Sequence, residues 1–379
     1  SCMKPKIKKR IKKIMVIAIS IIAIIGIIAF FFLRQASFGK TPTGERLERV
    51  KASPNYRDGK FQNLSHTPQL TGDKSMPALM FDFLFGNYQR VTPVDEIPAI
   101  KTDLLSLDRS EDKLIWFGHS SYLIQIDGKR ILVDPLFNGA ASPVSFVNKP
   151  FRGTDIYKAE DFPYIDYLFI SHDHWDHLDY STVMKLKEKT GRVICGLGVG
   201  EHFESWGFDK KKIVELDWNE DAALDEGFNV YCLPARHFSG RGLSPNQSIW
   251  ASFMLIAPTM KIYMGGDSGY DTHFEKIGER FGEVDLAILE NGQYGANWKY
   301  IHMMPEEVAQ AAKDLHAKNV LPVHSAKFSL ANHPWDEPLK RVTEASKDAD
   351  FRLLTPMIGE TVNLKGSTQV FKEWWIGIE

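Results

Sequence analysis

The stretch Tyr167-Leu-Phe-Ile-Ser-His-Asp-His-Trp-Asp-His177 constrains this chain more than any other. Its apolar run, Tyr167 to Ile170, reads as a buried strand. Directly behind it stand His172, His174, Asp176 and His177, in the pattern His-x-His-x-Asp-His. A strand that ends in so many metal-ligand side chains serves no packing purpose. Imidazole and carboxylate together suit zinc, and also iron or manganese. In extended backbone His172 and His174 point to the same side and can share one metal. Asp176 and His177 follow the turn and can reach a second. Two metals about 3.5–4 Å apart clamp the oxygens of a reacting ester or phosphate. Four ligands do not complete two sites, so other strand ends must supply more.

Three do. Pro234-Ala-Arg-His-Phe238 follows the strand-like Phe228 to Leu233 and offers His237. Gly265-Gly-Asp-Ser-Gly-Tyr270 follows Lys261 to Met264 and offers Asp267. Val320-Leu-Pro-Val-His324 offers His324. A lone His or Asp after a strand is usually a cap or a surface residue. Several strand ends that all present ligand types form a coherent set.

This set resembles the metallo-β-lactamase superfamily. The resemblance implies an α/β fold, a four-layer αβ/βα sandwich with a dinuclear metal site on one edge. It implies two Zn2+ ions, with iron or manganese as the other candidates. His172, His174 and His237 would bind the first, Asp176, His177 and His324 the second, and Asp267 would bridge them.

A narrower resemblance covers most of residues 75–379. Trp116-Phe-Gly-His-Ser-Ser-Tyr-Leu-Ile124, Ile131-Leu-Val-Asp-Pro-Leu136, His174-Trp-Asp-His-Leu-Asp179, Gly266-Asp-Ser-Gly-Tyr270 and His302-Met-Met-Pro-Glu-Glu307 carry it. So does His324-Ser-Ala-Lys-Phe-Ser-Leu-Ala-Asn-His-Pro-Trp-Asp-Glu-Pro338. These segments resemble the N-acylphosphatidylethanolamine-hydrolysing phospholipase D branch. The segments Asn291 to Trp298 and Phe238 to Arg241 depart from its usual pattern, which leaves acyl and head-group preference open. The resemblance implies phosphodiester hydrolysis to N-acylethanolamine and phosphatidic acid. Asp176 and Asp267 would orient the attacking water, and His302 would meet the substrate phosphate or leaving group. A metal-dependent lactonase, a phosphodiesterase for soluble substrates and a non-catalytic binding module are the alternatives.

The N-terminus is a separate matter. Residues 4–13 carry seven positive charges in a chain of net charge −2, so the remainder is acidic. That balance gives no nucleic-acid signature. Ile14 to Leu33 contains no charged residue. At 1.5 Å per residue it spans about 30 Å, the hydrocarbon thickness of a bilayer. A cleaved signal has a shorter apolar core, and no convincing cleavage site follows Leu33. A retained single-pass anchor is expected, with residues 1–13 cytoplasmic and the catalytic domain on the far side, periplasmic or extracellular. The expected organisation is a basic tail (1–13), an anchor (14–33), a linker or arm (34–110) and a catalytic domain (111–379). The expected partners are a phospholipid substrate and the membrane. Ser1-Cys2 before Met3 reads as a start-site remnant.

Other residues carry smaller expectations. Asp134 reads as an acceptor that orients a ligand histidine. Asp179 and His119 stand evenly between that role and a turn or loop role. Glu306 and Glu307 fall in a first helical turn, where carboxylates favour the dipole, and are assigned no chemistry. His66, His202, His273, His316 and His333 are expected on the surface or in loops. Trp298 and Trp335 are divided between an acyl-chain groove and the core. Ser75 to Phe85 reads as a helix packed on the core, with a lipid-dipping surface element as the alternative. Cys195 and Cys232 read as small buried hydrophobes.

Overall fold

The computed structural model describes residues 5–379. Ser1 to Lys4, including Cys2 and the start of the basic tail, lie outside the described residues.

Two seven-stranded mixed sheets lie at the centre. The first runs, edge to edge, Thr361–Asn363, Lys113–Trp116, Tyr122–Ile126, Lys129–Val133, Ile165–Ile170, Thr190–Gly196 and Ile213–Leu216. The second runs Arg352–Leu353, Ala317–Val323, Val284–Glu290, Lys261–Met264, Ser252–Ile256, Asn229–Leu233 and Asp221–Ala223. In each sheet an antiparallel half meets a parallel half.

Side-chain alternation builds the layers. Ile131, Val133, Tyr167 and Phe169 face the second sheet, where they meet Leu286, Ile288 and Phe253. Leu132, Leu168 and Ile170 point the other way, onto a helical layer with Val183, Leu186 and Phe203. Ala287 and Leu289 likewise face Ile277, Val308 and Ala312 of helices on the second sheet. Each fully buried Leu, Ile or Phe contributes roughly 1.5–3 kcal/mol. Sheets with both faces covered are built from near-continuous apolar runs. The result is the four-layer sandwich, helix–sheet–sheet–helix.

Parallel strands end at a common edge, which places the residues after them together. Val133 leads to Asp134, Ile170 to Ser171 and His172, Met264 to the Asp267 loop and Val323 to His324.

The N-terminal helix, Pro5–Leu33, is solvent-exposed along nearly its whole length and, from Ile7 to Leu33, is long and apolar enough to cross a membrane. From Ala36 onward the chain lies on the sandwich. Arg46, in the helix Gly44–Ala52, pairs with Glu201 and Glu215 at 2.7 Å each, and Ser53 donates to Asp217.

Several expectations change. Met76–Phe85 is a helix whose described apolar side chains Met80, Phe81 and Phe85 are 58%, 66% and 70% exposed rather than packed on the core. His202 and His273 are buried, not on the surface: His202 is enclosed by its bond to Asp173, and His273 lies against Phe274. Asp179 caps the helix Tyr180–Leu186 by accepting from the Thr182 N–H, which settles its role as a cap. Trp335 is a core residue. Cys195 and Cys232 are buried and unpaired among the described residues.

Candidate metal centre

The first of two donor groups comes from three imidazoles. His172 Nε2 lies 2.9 Å from His174 Nδ1, and His237 Nε2 lies 3.3 Å from the same atom. The outer nitrogens of His172 and His237 are tied down. His172 Nδ1 meets Ser171 Oγ at 2.9 Å, and His237 Nδ1 donates to the Ile301 carbonyl at 2.9 Å. The outer bond fixes the tautomer, so the inner lone pairs converge. Burial, reinforced by neighbouring histidines, holds His172 and His237 well below the ordinary imidazole range. That shift favours the neutral ring, the form a metal ligand needs.

The second group contains Asp176, His177, His324 and His119. His177 Nδ1 is held by Asp134 at 2.8 Å, leaving Nε2 directed at Asp176 (3.2 Å) and Asp267 (3.1 Å). Asp134 therefore orients a ring of the cluster, as its place at a strand end implied. His324 Nδ1 lies 2.8 Å from Ser120 Oγ and 3.3 Å from Asp267 Oδ1. Asp267 stands between the groups, also 3.8 Å from His172 and 3.6 Å from His237.

The backbone is forced into this shape. His119, Asp134, Gln293 and His324 all take positive φ, between 42° and 69°. Non-glycine residues pay for that conformation, and it gathers at functional sites. The His119 N–H donates to the Ser325 carbonyl and the His324 N–H to the His119 carbonyl, which pins the two strand ends together.

The donor set fits a pair of divalent cations. Asp267 Oδ1 and His177 Nε2 are buried with no hydrogen-bond partner among the described residues. Burial alone would raise Asp267, yet His177 and His324 hold its carboxyl well below the usual range. Burial alone would lower His177, but Asp267 and Asp176 raise it well above the usual range. A positive charge is thus favoured among these carboxylates.

All seven candidate ligands named from sequence lie in this one cluster. Sequence reasoning undervalued His119, whose Nε2 is 2.7 Å from Asp176. It missed Glu290, Gln293 and Ser120. Glu290 closes the apolar strand Val284–Glu290, the same strand-end signal that marked Asp267. Ser120 lies inside the Gly118-His-Ser-Ser121 motif. His302 is beside the cluster, with Nδ1 2.7 Å from Glu290 Oε2. A cavity of about 220 Å³ opens over the histidines, with Phe238, Trp298, Ile301 and Leu330 as its apolar wall and Gln293 and His302 as polar groups.

The profile of the beta-lactamase superfamily domain matches residues 129–325. This chain is a metal-dependent hydrolase of the β-lactamase superfamily. An uncharacterized protein of Mycobacterium tuberculosis is 39% identical to the hydrolase over 327 residues, 85% of this chain and 87% of the relative. N-acyl-phosphatidylethanolamine-hydrolyzing phospholipase D 1 of Caenorhabditis elegans is 31% identical over 264 residues, 65% of this chain and 74% of the relative. The structure of Igni18, a metallo hydrolase from Ignicoccus hospitalis, superposes with a TM-score of 0.51 at 23% identity, covering 66% of the hydrolase and 97% of Igni18. The fold that the resemblance implied is the fold observed.

Proposed function

We propose that this hydrolase is a membrane-anchored phosphodiesterase of the phospholipase D type, which cleaves N-acylphosphatidylethanolamine to N-acylethanolamine and phosphatidic acid. His172, His174 and His237 would hold one zinc ion, Asp176, His177 and His324 the other, with Asp267 between them. Bound there, the ions would lower the pKa of a water between them and offset negative charge developing on the phosphoryl oxygens.

The chain's own groups supply the rest. Asp176 and Asp267 carry the negative charge that accepts hydrogen bonds from the attacking water and aims it at phosphorus. Water oxygen joins phosphorus as the bond to the ethanolamine oxygen breaks. His302, held through Nδ1 by Glu290 and lining the cavity, delivers a proton to that leaving oxygen. Phe238, Trp298, Ile301 and Leu330 keep bulk water from the N-acyl chain.

One observation carries the lipid reading: the exposed apolar side chains Met76, Met80, Phe81 and Phe85 on a helix whose preceding segment is tied to a cavity loop. Thr71 donates from its backbone and its hydroxyl to Asn297 and Ala296, in the loop that bears Trp298. Arg90 pairs with Asp336 at 2.7 Å, just beyond Leu330. The segment that contains the helix Met76–Phe85 is therefore tied at Thr71 to the loop bearing the cavity residue Trp298 and at Arg90 to Asp336. The helix Pro5–Leu33 supports anchoring, and the name of the nematode relative supports the head group.

A panel of N-acylated phospholipids, plain phospholipids and one acyl-lactone tests this. Release of N-acylethanolamine from mixed micelles is expected. No cleavage of any N-acylated phospholipid, with rapid opening of the lactone, would replace the proposal with a lactonase.

A further inference from the structure

The segment that leaves the N-terminal helix does not merely pass the metal cluster. It is built into the back of the loop that carries four of the ligands. Arg241 is the hub. The residue is 4% exposed, and its guanidinium donates to the Ser37 carbonyl from Nε (3.0 Å) and Nη2 (2.7 Å). From Nη1 it donates to the carbonyls of Asp173 (2.9 Å) and Leu178 (2.6 Å). Those carbonyls bracket His174, Asp176 and His177. The same guanidinium stacks 4.0 Å from the Trp175 ring centroid.

Two further connections run in parallel. Phe38 packs edge-on against Trp175 at 4.9 Å and against Phe32 of the N-terminal helix at 5.2 Å. The Lys40 N–H donates to His202 Nδ1 at 3.0 Å, and His202 Nε2 lies 2.9 Å from Asp173 Oδ2. That approach requires glycine at position 39. Gly39 has φ of 66°, and a Cβ there would collide with the His202 ring. Asp173 Oδ2 also accepts from Ser248 Oγ (2.9 Å), and its Oδ1 accepts from the Gly240 N–H (2.7 Å).

A charged guanidinium forms strong, directional bonds to carbonyls when buried, and a lysine cannot reproduce its fork. Groups that hold metal ligands in place tune metal affinity as the ligands themselves do. We propose that Arg241 and residues 36–40 are positioning elements of the His172–His177 loop. Ligand geometry, and with it metal affinity, is set by how the segment behind the N-terminal helix is seated. None of these residues lines the cavity over the metal cluster. The inference rests on the reading of this loop as the metal-binding loop.

The test uses the full chain in detergent. Zinc affinity is measured by competition with a chromogenic chelator, and amide hydrogen exchange over residues 172–178 is followed in metal-free protein. Arg241→Lys and Gly39→Ala should each weaken zinc binding about 10-fold to 100-fold and speed exchange in the loop. Ser53→Ala removes a buried bond of the same arm to Asp217, away from the loop. It should lower thermal stability and leave zinc affinity and loop exchange unchanged. If either loop variant folds and binds zinc as the parent does, the positioning role is overturned. So it is if Ser53→Ala weakens zinc as much, because the effect is then global. A parent protein that binds no zinc overturns the metal assignment itself, and this inference with it.

Discussion

His302 Nδ1 and Glu290 Oε2 meet at 2.7 Å at the edge of the metal cluster, with Glu290 fully enclosed and His302 bordering the cavity. Burial raises the Glu290 carboxyl, while the Glu290 carboxylate raises His302 against a burial effect of opposite sign. The pair retains a proton near neutral pH beside the place a leaving group would occupy. If His302 is the proton donor, turnover falls as pH rises through its raised pKa. Glu290→Gln removes the cause of that rise, so the fall should move to lower pH. The same variant should slow cleavage of an alkyl phosphodiester about 100-fold and spare a nitrophenyl ester, whose leaving group needs no proton. Equal losses on both substrates would assign Glu290 to structure alone.

Metal content follows from the donor groups. Protein purified without chelator should contain about two transition-metal ions per chain, zinc foremost, by elemental analysis. A value near zero, or a single ion that reconstitution cannot raise, would sink the two-site arrangement. Asp267→Asn should lose most activity and stay folded, since a neutral amide replaces the carboxylate shared by both groups. His174→Ala should behave alike. The double variant should be little worse than either, because residues that act as a unit are not additive.

How much of this was legible in the sequence depends on range. The strands around Tyr122–Ile126 and Ile165–Ile170 announce themselves through apolar runs, and the ligands stand immediately after such runs. His119 and Glu290 were harder. Their partners, Asp176 and His302, are 57 and 12 residues away, and only the closure of the sheets brings them together. His202 looked like a surface histidine because nothing near it in sequence foretells Asp173 or the arm segment at Lys40. The helix Met76–Phe85 reads as core by composition. Its exposure is a tertiary fact that no apolar count distinguishes from burial.

His273 gives the fold a pH dependence separate from the metals. Burial lowers its imidazole to about 4. The unfolded chain, with an ordinary pKa near 6.5, binds the proton first as pH falls. Stability from this group is therefore complete above about 6.5 and is lost progressively toward 4, a contribution of roughly 3 kcal/mol. His273→Gln, which can still bond Ser268 Oγ, should flatten the dependence of the melting temperature on pH in this window. Parallel curves for parent and variant would refute the assignment.

Orientation is testable without any assay of activity. Lysines and arginines flanking the span keep that side in the cytoplasm. A C-terminal reporter that works only after export should be active, placing residues 40–379 outside. Signal confined to a cytoplasm-active reporter would reverse the orientation. A mature protein that begins after Leu33 would remove the anchor.

The exposed helix Met76–Phe85 supplies the sharpest test of the lipid reading. Phe81 and Phe85 pack against one another at 4.8 Å, yet both remain largely in solvent, so each presents a ring to whatever covers this face. Aromatic and thioether side chains on an exposed helix gain most at the boundary of headgroups and acyl chains. The segment bearing this helix is tied at Thr71 to the loop of the cavity residue Trp298, so docking the helix would hold the cavity near the lipid. Phe81→Ser with Phe85→Ser should therefore weaken hydrolysis of micellar N-acylphosphatidylethanolamine several-fold while leaving a short-chain soluble diester nearly untouched. The loss should appear as a higher apparent KM on micelles, because the chemistry at His302 and the metal cluster is unchanged. Equal loss on both substrates would mean that the helix serves the fold, and the membrane would have to be met by another surface.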